Sequence, residues 1–172
     1  AVNDSLGPQS ESVEVVPLLT TQVLSPVADT FVQYNESKTF GTDDHIYVKR
    51  YNNYIREAFL QFDITNLPVR VYSNATLRIV AFEQEAGLDR SDTEVMIERI
   101  DPFAWTEATL NWSLAVAELS LPTSTSYVPT YEFAKFQAED AVDGTVYELD
   151  VTSQLRAARR AGSQLLLHVY VS

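Results

Sequence analysis

The sequence predicts an all-β chain folded as an antiparallel β-sandwich of jelly-roll type. Three observations carry that expectation. Short runs alternate apolar and polar residues, about eight of them at roughly 10–15-residue spacing. Turn signals such as Asn66-Leu67-Pro68 and Gly87-Leu88-Asp89 separate them. Helical periods between them are few.

Taken in order, residues 1–12 (AVNDSLGPQSES) are polar and read as a flexible arm. Residues 13–24 are β-branched and apolar, but Pro17 cannot donate to a ladder, so they form an edge strand or two short strands. Asp29–Val32 and His45–Lys49 follow as short strands, Ile46 and Val48 sharing a face. Arg56–Ile64 carries Phe59 and Phe62 as bulky core residues. Ala75–Gln84 turns Leu77, Ile79 and Ala81 one way; Glu94–Ile100 does the same with Val95 and Ile97. Val146–Thr152 and Gln164–Val171 complete the set, the last with Leu165, Leu167, Val169 and Val171 on one face. Two short helices are expected. One lies within Trp105–Leu119, where Thr106 offers a cap. The other is Ser153–Ala161, which stops at Gly162. The organisation is an N-terminal arm, 1–22, and one sandwich domain, 23–172.

Composition excludes several functions. The 172 residues hold 12 Lys and Arg against 24 Asp and Glu, a formal charge of −12. Nucleic-acid binding through phosphates needs clustered cations, and docking on anionic lipid needs them too. Neither partner is expected, nor is membrane insertion, since no window approaches the ~18 apolar residues of a span. Without cysteine there are no disulfides, thiolate nucleophiles or Cys-ligated zinc. Sequons at Asn3, Asn35, Asn74 and Asn111 number four where composition predicts about one. They fit a secreted or cell-surface glycoprotein. The opening Ala1 fits processing or trimming.

Several motifs occur in a recognisable order. Asp29-Thr30-Phe31-Val32 precedes Thr39-Phe40-Gly41-Thr42. Then come Arg56–Ile64 with Leu67-Pro68, Ala75-Thr76-Leu77, Trp105–Trp112 (WTEATLNW), and Leu149-Asp150-Val151-Thr152-Ser153. Over about residues 27–171 this string resembles the DNRLRE domain, a secreted β-sandwich family that includes alginate-associated carbohydrate-binding modules. The resemblance implies a jelly-roll-like fold, an extracellular setting and no catalytic activity.

Relative to that family, the strand after Gln164–Val171 is missing and an N-terminal extension is added. An unfilled sandwich exposes an apolar groove and an open edge. A donor strand Val13–Leu19, with Val13, Val15, Val16, Leu18 and Leu19, is expected to fill such an edge along Leu165, Leu167, Val169 and Val171. Inserted into a neighbouring copy, it would build a head-to-tail homopolymeric filament. Folding back into its own domain and truncation of the chain are the two other arrangements. The leading expectation is thus a non-catalytic extracellular filament subunit. The alternative is a carbohydrate-binding or cell-surface adhesion module.

Site chemistry points to sugar rather than catalysis. Tyr51 and Tyr54, with Tyr47, Tyr127 and Tyr131, are the stacking candidates, and Lys49, Arg50 and Arg56 suit an acidic sugar. A Ser-His-Asp triad would have to use His45 or His168, and His168 reads as a strand-packed side chain. Paired glycosidase carboxylates have no supporting motif. Arg156, Arg159 and Arg160 form the one basic cluster, matched to a neighbour's acidic surface or to their own domain. No metal-site residues and no cofactor are assigned. Structural Ca²⁺ is left open by Asp43-Asp44 beside His45 and by the loop of Asp140 and Asp143-Gly144.

Overall fold

The computed structural model describes residues 21–51, 54–67, 74–81, 93–119, 132–138, 144–162 and 164–171. Their elements run β1 (Ala28–Gln33), β2 (Lys49–Tyr51), β3 (Tyr54–Asp63), β4 (Thr76–Val80), β5 (Glu94–Ile100), α1 (Trp112–Leu119), β6 (Glu132–Gln137), β7 (Val146–Asp150), α2 (Thr152–Ala161) and β8 (Gln164–Val171). The main sheet has the order β1-β3-β8-β5-β6, with β2 also on β3; β4 and β7 form a second sheet. All pairings are antiparallel. The all-β sandwich expected from the alternation is therefore the fold.

Strand alternation builds two cores on the two faces of the main sheet. One face carries Phe31, Ala58, Leu60, Val95, Ile97, Leu165, Leu167, Val169 and Val171. It is covered by Leu77 of β4 and by Val151, Leu155 and Ala158 at α2. The other face carries Val32, Ile55, Phe59 and Leu166 beneath Trp105, Leu110, Trp112 and Ala115. Tyr147 joins the two sheets, its ring stacked on Phe136 at 4.0 Å and its hydroxyl donating to Gln137 O at 3.3 Å.

Both helices are placed by local hydrogen bonds. Asn111 Oδ1 accepts the Leu114 N–H at 3.0 Å, as an N-cap does, so α1 begins at Trp112. Thr106, the capping residue expected in this stretch, closes a separate turn with Thr109 just ahead of the helix. At α2, Asp150 Oδ1 accepts the Thr152 N–H at 2.8 Å, and Thr152 Oγ1 accepts the Ala75 N–H at 2.8 Å. Arg159 belongs to its own domain. It donates to the carbonyls of Ile64 at 3.0 Å and Leu67 at 2.9 Å, ending the turn after β3.

Three further expectations change. The strand expected at His45–Lys49 starts only at Lys49, where pairing with β3 begins. β6, which alternation does not single out, pairs with β5 and is the last strand on that side of the main sheet among the described residues. Most consequentially, β8 is no edge. Leu165, Leu167 and Val169 face β3 partners on one side, and Leu167, Val169 and Val171 face β5 partners on the other. Its ladder is occupied, so the expected acceptor edge along Leu165–Val171 is corrected. The donor residues Val13, Val15, Val16, Leu18 and Leu19 lie outside the described residues, as do Asn3, Tyr127, Tyr131, Asp140 and Asp143.

Gly41 marks a tight contact between the loop after β1 and the segment before α1. A Cβ there would stand 2.6 Å from Glu107 O and 2.7 Å from Glu107 Cα, a clash with backbone. Gly41→Ala is expected to lower stability by about 1–3 kcal/mol, as overpacking does, read by urea denaturation. An unchanged midpoint would show that this loop does not dock as described.

Candidate functional site

Where β8 leaves β3, β2 takes its place. The β8 register on β3 reaches Ala58, and β2 pairs with residues 54–56: Lys49↔Arg56, Arg50↔Ile55, Tyr51↔Tyr54. Arg56 is flanked on the other side by Gln33 of β1. The two-residue period then sorts the side chains. Lys49, Tyr51, Tyr54, Arg56 and Gln33 share one face, and Arg50 is on the opposite one.

That shared face is aromatic and cationic. Tyr47, Tyr51 and Tyr54 are 43%, 64% and 56% exposed, enough ring area for a flat ligand to stack. Lys49 Nζ lies 5.6 Å from the Tyr54 ring centroid. The Arg56 guanidinium lies 5.4 Å from both the Phe31 and Tyr47 rings, and its Nε donates to Gln33 Oε1 at 2.9 Å. Phe31 itself is stacked on Phe40 at 4.3 Å. The face is thus held rigid from beneath, and its cations remain at the surface over aromatic rings. The register brings Tyr51, Tyr54 and Lys49, sugar-binding candidates from the sequence, onto one face.

Arg50 differs. Its Nε donates to Val171 O at 2.8 Å and its Nη2 to Glu57 Oε1 at 3.3 Å. The guanidinium therefore turns away from the tyrosines and into the sheet. Glu57 Oε2 lies 3.0 Å from His168 Nε2, and Glu98 Oε1 lies 2.7 Å from His168 Nδ1. Glu57, Glu98 and His168 are all buried, and the imidazole is stacked between Phe59 at 4.9 Å and Tyr170 at 4.8 Å. The strand-packed reading of His168 holds, and a nucleophile triad has no exposed histidine there.

Burial alone would depress the His168 pKa. The hydrogen bonds to Glu57 and Glu98, reinforced by their charges, outweigh it and raise it above the ordinary imidazole value. A raised folded pKa gives stability that is fully present below the unfolded value near 6.5 and is lost as pH rises through the folded value.

The cleft of about 530 Å³ at the other end of β1 is lined by Ala28, Gly41, Gln61, Trp105 and Glu107, among others. Trp105 is 8% exposed, so it offers no stacking surface. Glu107 is engaged with the Asp29 N–H at 3.1 Å, and burial followed by the Glu107 charge raises the Asp29 pKa. Among the described residues, no three His, Asp or Glu side chains gather as metal ligands. Of the sequons, Asn35 and Asn74 are exposed, and Asn111 serves as the α1 cap.

An antiparallel sandwich with one exposed aromatic-cationic face has the build of a β-sandwich binding module. The model of carbohydrate-binding module family 96 matches residues 20–169, and the chain belongs to that family. Among curated proteins, none matches the chain.

Two outcomes test the buried cluster. Stability measured by urea denaturation is expected to be flat between about pH 5 and 6 and to fall on the alkaline side, through the raised His168 pKa. Glu98→Leu at pH 6 is expected to cost about 3–5 kcal/mol, since it strands one partner of a buried ion pair. A cost under about 1 kcal/mol would remove Glu98 from the network.

Proposed function

We propose that this chain is a non-catalytic, extracellular module that binds acidic polysaccharide on the β2–β3 face. One observation carries the reading: three exposed tyrosines share a surface with two cations on a chain of charge −12. A polyanion is repelled by most of such a molecule and attracted where Lys49 and Arg56 stand. Sugar rings present flat apolar faces, which stack on tyrosine, and carboxylates, which pair with the cations. Membership of a carbohydrate-binding family supports the sugar. The DNRLRE-like order of motifs, shared with alginate-associated modules, supports its acidity. Strand-exchange assembly into a filament is the less supported role, because the strand expected to accept the donor is central in its sheet.

Affinity electrophoresis in polygalacturonate, with dextran as the neutral control, tests this directly. Retardation is expected in polygalacturonate and not in dextran, and about 0.5 M salt should abolish it. Tyr51→Ala/Tyr54→Ala is expected to weaken binding at least tenfold, about 1.4 kcal/mol. Lys49→Glu should weaken the acidic ligand selectively. Equal binding by the double tyrosine variant would remove this face from the account, and no retardation in any polysaccharide would remove the function.

A further inference from the structure

β2 is three residues long and, among the described residues, pairs only with β3. So short a ladder holds little register by itself. Yet Lys49 and Tyr51, at its two ends, belong to the exposed face. The residue between them supplies the anchor: Arg50 reaches the last residue of β8 through Val171 O, and Glu57 of β3 through its Oε1. Glu57 reaches His168 of β8, and His168 reaches Glu98 of β5. A single chain of charged hydrogen bonds thus runs from the surface strand to the strand beyond the sheet's centre.

That chain has a proton requirement. A neutral imidazole has one N–H donor and one lone pair. Both ring nitrogens of His168 face carboxylate oxygens, at 2.7 and 3.0 Å. Only the doubly protonated ring donates to both. Among the described residues of this group, two carboxylates and one guanidinium sum to −1, so the second imidazole proton also neutralises it. Among the described residues, the titratable and charged groups on the elements around the ring are Glu57 from β3, Glu98 from β5, Tyr170 from β8 and, through Glu57, Arg50 from β2. The covering segment before and in α1 turns Trp105, Leu110, Trp112 and Ala115 to this face, none of them ionisable.

We propose that His168 is a proton-dependent latch on the sugar-binding face, and Arg50 the positioning residue through which it acts. With the imidazolium in place, Glu57 is fixed and holds Arg50, which holds β2 in register. When the ring loses a proton, a lone pair opposes a buried carboxylate and the site carries a net negative charge. Glu57 or Glu98 then turns toward water, the anchor of Arg50 loosens, and Lys49 and Tyr51 lose their fixed places. Polysaccharide affinity therefore falls as pH rises. The affinity part of this inference rests on the sugar-binding reading; the latch itself does not.

Side-chain ¹⁵N spectra and polygalacturonate affinity, both followed from pH 5 to 10 on wild type and Glu98→Gln, test it together. Both His168 ring nitrogens are expected to carry protons at pH 7, where an ordinary imidazole has mostly lost one. Glu98→Gln removes one carboxylate while leaving Tyr51, Tyr54, Lys49 and Arg56 untouched. Its imidazole midpoint should drop by at least one pH unit, and the affinity midpoint should drop with it. A single-tautomer His168 at pH 7 overturns the latch, as does an affinity midpoint that stays put while the imidazole midpoint moves. Absence of polysaccharide binding at every pH overturns the functional reading alone. Wild-type amide exchange then decides: β2 amides accelerating beyond the intrinsic rate through the His168 midpoint support the latch, and unchanged protection overturns it.

Discussion

The molecule depends on a buried charge placed at the centre of its main sheet. β8 lies between β3 and β5, and His168 projects from it toward a carboxylate on each neighbour. Burying ions in an apolar layer costs several kcal/mol apiece, and apolar replacements of similar volume often fold as well or better. What such groups add is register. A one-residue slip of β8 against either neighbour would turn His168 to the other face and leave both carboxylates buried without their partner. Three strands contribute to one imidazole, so one set of bonds ties both of the central ladders.

The rest of the domain can be built outward from that layer. The opposite face of the same three strands holds an apolar core, with Leu165, Leu167, Val169, Ala58, Leu60 and Ile97 closed over by α2 and β4. At the end where β8 stops, its place beside β3 passes to β2, and the apolar face gives way to Tyr51, Tyr54, Lys49 and Arg56. The surface proposed to meet a ligand is thus the exposed rim of the core face. Its rigidity is borrowed from Phe31 and Phe40 below and from Arg50 behind. The acidic remainder of the chain gives that rim its contrast, since four of the twelve cations, Lys38, Lys49, Arg50 and Arg56, fall within 38–56.

Much of this was legible in the order of residues. Alternation located β3, β5, β7 and β8 and sorted their faces, because a half-buried strand must alternate. Helix α2 was legible from its composition and from Gly162. What alternation does not carry is the order of strands in the sheet. The edge expected along β8 rests on the family strand missing after it, yet β8 is central. The nearly continuous apolar run Leu165–Val171, broken only by His168, was the available signal of a strand covered on both faces, and the structure buries every residue of it. The His168 partners are 70 and 111 residues away, so no local pattern could pair them. Arg50 was grouped with Lys49 and Tyr51 by proximity, although the period of two already places it on the other face. β6 escaped notice because the charged and aromatic residues of this strand form no long apolar stripe.

The central claim is that an acidic sugar chain meets this domain on the tyrosine face at the β2–β3 end of the sheet. Amide chemical shifts of the ¹⁵N-labelled protein, titrated with galacturonate oligosaccharides at pH 6, test it most directly. The account predicts saturable shifts at Tyr47, Lys49, Tyr51, Tyr54 and Arg56. It predicts none at Ala28, Gln61 and Glu107, which line the cleft five residues further along β1, about 17 Å away at ~3.3 Å per residue. Shifts confined to that cleft, with the tyrosine face silent, would contradict it.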